Sequence, residues 1–125
     1  MSKQKILVVE DNIDNQNLLR LLLEREDYQV ITAFDGQDGL KKIHKEQPEL
    51  IVLDLDMPIV NGWELTKQIK ADRKIKDIPI VVVTAHVLPG DEHQILDLGC
   101  DGYVLKPFKA ADFVEEIIKF LPEEN

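Results

Sequence analysis

The sequence is poor in cysteine: Cys100 is the only one in 125 residues. A lone thiol can close no internal disulfide and build no thiolate metal cage. The absence of a disulfide framework fits the cytoplasm. Cys100 reads as a small residue packed beside the turn Leu98-Gly99-Cys100-Asp101-Gly102. The three histidines, His44, His86 and His93, lack zinc-ligand spacing and read as surface or loop residues. No apolar run approaches the roughly 20 residues that cross a bilayer. Met1 to Lys5 lead straight into a short apolar run, with neither the long apolar region nor the cleavage site of a signal peptide. No Gly-x-Gly-x-x-Gly or Walker-type loop follows the first apolar run, which speaks against a nucleotide-binding module. Positive charge is also scarce, with 15 Lys and Arg against 24 Asp and Glu, a net charge of −9. Such a surface repels nucleic-acid phosphate and favours a basic partner or a bound cation.

Five short apolar runs are present: Ile6-Leu7-Val8-Val9, Val30-Ile31-Thr32-Ala33, Leu50-Ile51-Val52-Leu53, Ile80-Val81-Val82-Val83 and Tyr103-Val104-Leu105. Most are β-branched and unbroken, the pattern of strands covered on both faces. Between them, apolar residues recur at offsets of three and four, which predicts helices over Asn15–Arg25, Gln37–Glu46, Trp63–Ala71, Asp91–Leu98 and Ala111–Leu121. Strand–helix alternation repeated five times gives a parallel sheet with helices on both sides. In one domain spanning residues 1–125, this predicts a flavodoxin-like, doubly wound α/β fold: a five-stranded sheet of order 2-1-3-4-5 with five helices. Pro122 to Asn125 read as a polar frayed end.

Polar residues fall at the strand ends. Glu10 and Asp11 follow the first run, Asp54 ends the third, Thr84 the fourth and Lys106 the fifth. Parallel strands bring these ends to one edge, where such sheets bind ligands near the reversal of strand order. Each residue has a plainer reading alone. An acid after a strand also starts turns and caps helices; Thr84 suits a strand for its branching, and Lys106 suits a solvated loop. Their joint placement points to a site, and Asp54, closing an apolar run, needs a partner for its charge.

Carboxylates gathered within ~5 Å repel by roughly 3 kcal/mol per pair at an effective dielectric of about 20. Protons or a cation must resolve that conflict. Oxygen ligands in an open site suit Mg²⁺, which keeps several waters and adds a phosphate oxygen. A nucleophilic carboxylate, a divalent metal, a lysine and a hydroxyl together suit phosphoryl transfer to Asp54.

The four segments Ile6-Leu7-Val8-Val9-Glu10-Asp11, Asp54-Leu55-Asp56-Met57-Pro58 with Asn61-Gly62, Val83-Thr84-Ala85 and Gly102-Tyr103-Val104-Leu105-Lys106-Pro107-Phe108 closely resemble the receiver domains of two-component response regulators, including single-domain chemotaxis-type ones. The resemblance covers essentially the whole chain. It implies that Asp54 is the phosphoacceptor, that Asp11 and Asp54 ligate Mg²⁺ directly, that Glu10 holds a metal-bound water, and that the Asp56 backbone carbonyl completes the protein's share. It implies that Lys106 pairs with one phosphoryl oxygen and Thr84 donates to another, and that small Ala85 leaves the acceptor open. The side chains of Asp56 and His86 would tune phosphoryl loss, or simply face solvent. The Lys106-Pro107 bond resembles the family's cis peptide, and X-Pro is the only common cis linkage.

The same resemblance implies a phosphorelay switch rather than an enzyme: the chain catalyses only its own phosphorylation and dephosphorylation. A sensor histidine kinase or a histidine phosphotransfer protein would supply the phosphoryl group. Thr84 would then move toward it and Tyr103 would turn inward, unless Tyr103 is mere packing, and a downstream protein would read the changed face. Neither nucleic acid nor membrane insertion enters this scheme. Homodimerisation would use the face of the fourth predicted helix, fifth strand and fifth predicted helix. Leucines 18, 19, 21, 22 and 23 span an arc of about 200° on the first helix, wider than one core contact needs. Either some are exposed for kinase docking or the helix is unusually buried. Three rivals remain at this point: an aspartate-based phosphatase of the haloacid-dehalogenase type, a nucleotide or flavin module on the same fold, and a receiver-like domain that is never phosphorylated.

Overall fold

The computed structural model describes residues 3–55, 62–85, 97 and 99–121. Its strands are β1 (Lys5–Val9), β2 (Gln29–Ala33), β3 (Leu50–Asp54), β4 (Ile80–Thr84) and β5 (Gly102–Leu105). Its helices are α1 (Ile13–Glu24), α2 (Gly36–Glu46), α3 (Gly62–Ala71) and α4 (Ala110–Lys119). The strands form one sheet of order β2-β1-β3-β4-β5, and every pairing is parallel. This is the flavodoxin-like arrangement the sequence predicts. The described residues hold four helices where five are predicted; the remaining one, Asp91–Leu98, lies outside them apart from Asp97, which is helical.

Alternate strand residues feed two separate cores, as the period of two in an extended chain requires. Leu7, Val9, Ile51, Leu53, Ile80 and Val82 face the side where Ile43 of α2 and Leu65 and Ile69 of α3 pack. Ile6, Val8, Leu50, Val52, Val81 and Val83 face the side of Leu19, Leu22 and Leu23 of α1 and Phe113 and Ile117 of α4. Burial on both faces explains why β3 and β4 read as unbroken apolar runs.

The starts of α1 and α2 are set by side-chain caps. Asn12 accepts from the Asn15 backbone N–H and begins α1 at Ile13, two residues before the start read from the leucine periodicity. Asp35 does the same for α2 through the Asp38 N–H at 2.7 Å. Within α2, Gly39 allows a close approach to the sheet: a Cβ there would lie 3.2 Å from Val9 Cγ2. Cys100 is buried beside Thr66, and its surroundings push the thiol up to about 11, chiefly through burial. His44 is surface-lying, as expected, and its Nε2 sits 3.1 Å from Asp72 Oδ2. No helix of the described residues is long and apolar enough to cross a membrane.

Candidate functional site

Register places the polar strand ends side by side. Val9 pairs with Leu53, Asp54 with Val83, and Thr84 with Leu105. The chain turns to one side from β1 to β2 and to the other from β1 to β3, so strand order reverses between β1 and β3, where Glu10 and Asp54 stand. Backbone bonds extend the ladder past each strand end. The Glu10 N–H donates to the Ala33 carbonyl at 2.9 Å, the Leu55 N–H to Val83 at 3.0 Å, and the Lys106 N–H to Thr84 at 2.9 Å. Each polar group thus springs from backbone tied to a neighbouring strand.

Glu10, Asp54 and Thr84 are all almost fully buried. Lys106 Nζ lies 3.1 Å from Asp54 Oδ2, an ion pair whose acid is nearly inaccessible and whose base keeps some solvent. Removing the lysine would leave the buried Asp54 charge uncompensated. The loop carrying Lys106 is anchored beyond it, where the Phe108 and Phe113 rings stack with centroids 5.3 Å apart. The Lys106-Pro107 peptide is cis.

Glu10 carries the strongest electrostatic conflict. Burial first, then the hydrogen bond and the charge of Asp54, push its carboxyl up to about 8, against the opposing hydrogen bond from Asn15 and the charge of Lys106. The neutral form of Glu10 is thereby favoured beside Asp54. Its Oε2 is buried without a hydrogen-bond partner. A buried acceptor left over beside a second carboxylate is what a hydrated cation would satisfy.

The three-carboxylate cluster read from the sequence is a pair here. No three His, Cys, Asp or Glu side chains among the described residues group as a metal cage, and Asp11, past the strand end, keeps partial exposure. Mg²⁺ takes one or two carboxylates and several waters, so it needs no such cage. Glu10, Asp11 and Asp54 fit that demand. Asp56 and His86 lie outside the described residues; Ala85 is exposed at the end of β4, and Tyr103 is half-buried against the α2–α3 side of the sheet.

A cleft of about 330 Å³ opens at this edge, with Glu10, Asp54 and Lys106 in its polar lining and Leu18, Pro107 and Phe108 in its apolar lining. The leucine question on α1 is thereby divided: Leu19, Leu22 and Leu23 are buried, whereas Leu18 and Leu21 are 49% and 53% exposed. Two site neighbours escaped the sequence reading. Asn15 also lines the cleft and hydrogen-bonds Glu10. Gln16 is buried beneath it, and its signal was available: a polar residue one turn before Leu19 and seven before Leu23, on the apolar stripe.

Comparison with known proteins agrees with this geometry. The sequence profile of the response regulator receiver domain matches residues 6–118. The polar-differentiation response regulator DivK of Brucella ovis is 36% identical over 118 residues, covering 94% of this chain and 96% of that protein. The structure of the chemotaxis response regulator CheY4 of Vibrio cholerae superposes with a TM-score of 0.87 at 28% identity, covering 96% of this chain and 100% of that one. The receiver domain of a sensor histidine kinase from Pseudomonas aeruginosa, described with a magnesium ion coordinated in its active site cleft, matches with a TM-score of 0.85 at 30% identity, covering 95% and 98%. The chain belongs to the response regulator receiver domains of two-component signalling.

Proposed function

We propose that residues 1–125 act as one phosphorylation switch, in which Asp54 accepts a phosphoryl group from a phosphohistidine and the chain then changes the face it offers a downstream protein. The observation that carries this reading is the buried Asp54 carboxylate held beside buried Glu10 with the Lys106 ammonium at 3.1 Å. An Asp54 oxygen attacks phosphorus as the bond to the donor's imidazole nitrogen breaks, and the bonding pair leaves with that nitrogen. Lys106 would exchange its Asp54 contact for a phosphoryl oxygen, so charge that spreads in the transition state meets a group already aimed at it. Bound Mg²⁺ would neutralise the same charge; Asp11 and Asp54 would ligate it directly, Glu10 through a water, and the Asp56 carbonyl would complete the set.

Thr84, one position beyond the register partner of Asp54, would donate to another phosphoryl oxygen. Tyr103, half-buried on the adjacent strand, would follow it inward. Exposed Ala85 keeps the approach open, and Asp56 and His86 would set how fast the phosphoryl group is lost. The chain is a switch rather than an enzyme acting on other molecules, and it would work in the cytoplasm. Its donor is a sensor histidine kinase or a histidine phosphotransfer protein. Exposed Leu18 and Leu21, with Leu18 on the cleft, offer that donor an apolar foothold beside Asp54. A homodimer would form through the face that includes β5 and α4.

Intact mass after treatment with acetyl phosphate tests the reading. A gain of one phosphoryl group that needs Mg²⁺ and vanishes with EDTA supports it. No gain under either condition returns the chain to the class of unphosphorylated receivers.

A further inference from the structure

Gln16 has a place in the site that its position on a helix conceals. It is 4% exposed, on the otherwise apolar buried stripe of α1. Its side-chain Nε2 donates to the Glu10 carbonyl at 3.1 Å and to the Ala33 carbonyl at 3.3 Å. The Ala33 carbonyl also accepts the Glu10 N–H at 2.9 Å. Both polar ends of the backbone at Glu10 are therefore fixed, one to β2 and one to the Gln16 amide. The Gln16 N–H in turn donates to the Asn12 carbonyl at 2.9 Å, so the amide is rooted in the first turn of the helix that the segment leads into. One side chain closes the loop from Glu10 to α1 on itself.

That loop presents Glu10 and Asp11. The Glu10 carbonyl belongs to the peptide that joins them, so the direction of this carbonyl sets the plane from which Asp11 departs. A leucine would extend the apolar stripe without desolvating an amide, a cost that only hydrogen bonds offset. We propose that Gln16 is a positioning residue: its amide fixes the Glu10–Asp11 peptide, and through it the affinity of the site for a divalent cation. The inference rests on the reading of Glu10, Asp11 and Asp54 as the metal's holders. Partners that orient ligands in this way change metal affinity by 10–100-fold when removed.

A purely architectural Gln16 would act on stability alone, and that separates the two roles. Gln16→Met keeps the length and bulk of the side chain and removes both donors. Ile117→Val, in the core on the same side of the sheet, is the control for lost stability without change at the loop. Each purified protein is titrated with MgCl₂, the backbone amide shifts of Glu10, Asp11 and Asp54 are followed by NMR, and stability is measured by denaturant unfolding. The expected result is a dissociation constant about tenfold higher in Gln16→Met and unchanged in Ile117→Val. If Gln16→Met does not fold, Gln16→Ala, which suits a helix, carries the same expectation. A constant within twofold of wild type in the Gln16 variant, whatever its stability, overturns the inference. A wild-type protein with no saturable Mg²⁺ response overturns the metal reading itself, and this one titration distinguishes the two failures.

Discussion

Metal-free protein should lose stability as pH rises from about 5 to 8, and Glu10 is the reason. Its carboxyl titrates at 4.5 in an ordinary setting and at about 8 in the folded chain. Between those values the native state binds more protons than the unfolded state, so stability falls with rising pH and levels off above the folded value. The window spans about 3.5 pH units at about 1.4 kcal/mol each, so the loss is at most roughly 5 kcal/mol. A domain of this size has some 5–15 kcal/mol in all, so the effect is large. Denaturant unfolding in EDTA at pH 5, 6, 7, 8 and 9 measures it, with Glu10→Gln as a reference that cannot titrate at this position. Wild type should fall relative to Glu10→Gln across the window. Asp54→Asn removes the Asp54 charge but leaves burial, the largest cause, and an amide oxygen that still accepts, so the fall should persist at lower pH. A difference between wild type and Glu10→Gln that is flat, or that rises from pH 5 to 8, refutes the reasoning.

Other expectations concern the elements that hold and present the site. Leu21→Glu, at an exposed position, should reduce phosphotransfer from a cognate kinase tenfold or more while changing unfolding free energy by no more than about 0.5 kcal/mol; Leu22→Glu, at a buried one, should fail by losing stability instead. Gly102→Ala should cost about 1–3 kcal/mol in unfolding, because its Cβ would stand 2.5 Å from Phe120 Cε2 and 3.0 Å from Glu116 Oε2. Asn12→Ala should cost about 1 kcal/mol by uncapping α1, visible as a lower melting temperature.

The sheet was legible because β3 and β4 are buried on both faces, which leaves a run of β-branched and aliphatic residues and no other economical reading. Strand order followed from the alternation with helices. Asp54, Thr84 and Lys106 were legible because a parallel sheet turns positions far apart in the chain into neighbours. Other features were hidden for identifiable reasons. Five leucines in six consecutive positions of α1 saturate the helical period, so periodicity could not say that Leu18 and Leu21 face outward; the packing of α1 against the sheet decides it. The start of α1 at Ile13 depends on a hydrogen bond from Asn15 to Asn12, not on the apolar pattern. Asp11, one residue past buried Glu10, keeps partial exposure, which the order of residues does not encode. Gln16 was visible as a polar residue on an apolar stripe, yet only the geometry reveals that it grips the carbonyls of Glu10 and Ala33.

The central claim is that Asp54, and no other carboxylate of the cleft, takes the phosphoryl group. It is tested by treating the protein with acetyl phosphate and Mg²⁺, reducing the acyl phosphate with borohydride, and mapping the modified residue by peptide mass. The account predicts conversion of the aspartate at position 54 to homoserine, and none in Asp54→Asn. Modification at Glu10 or Asp11 in the wild-type protein, or undiminished labelling of Asp54→Asn, would contradict it.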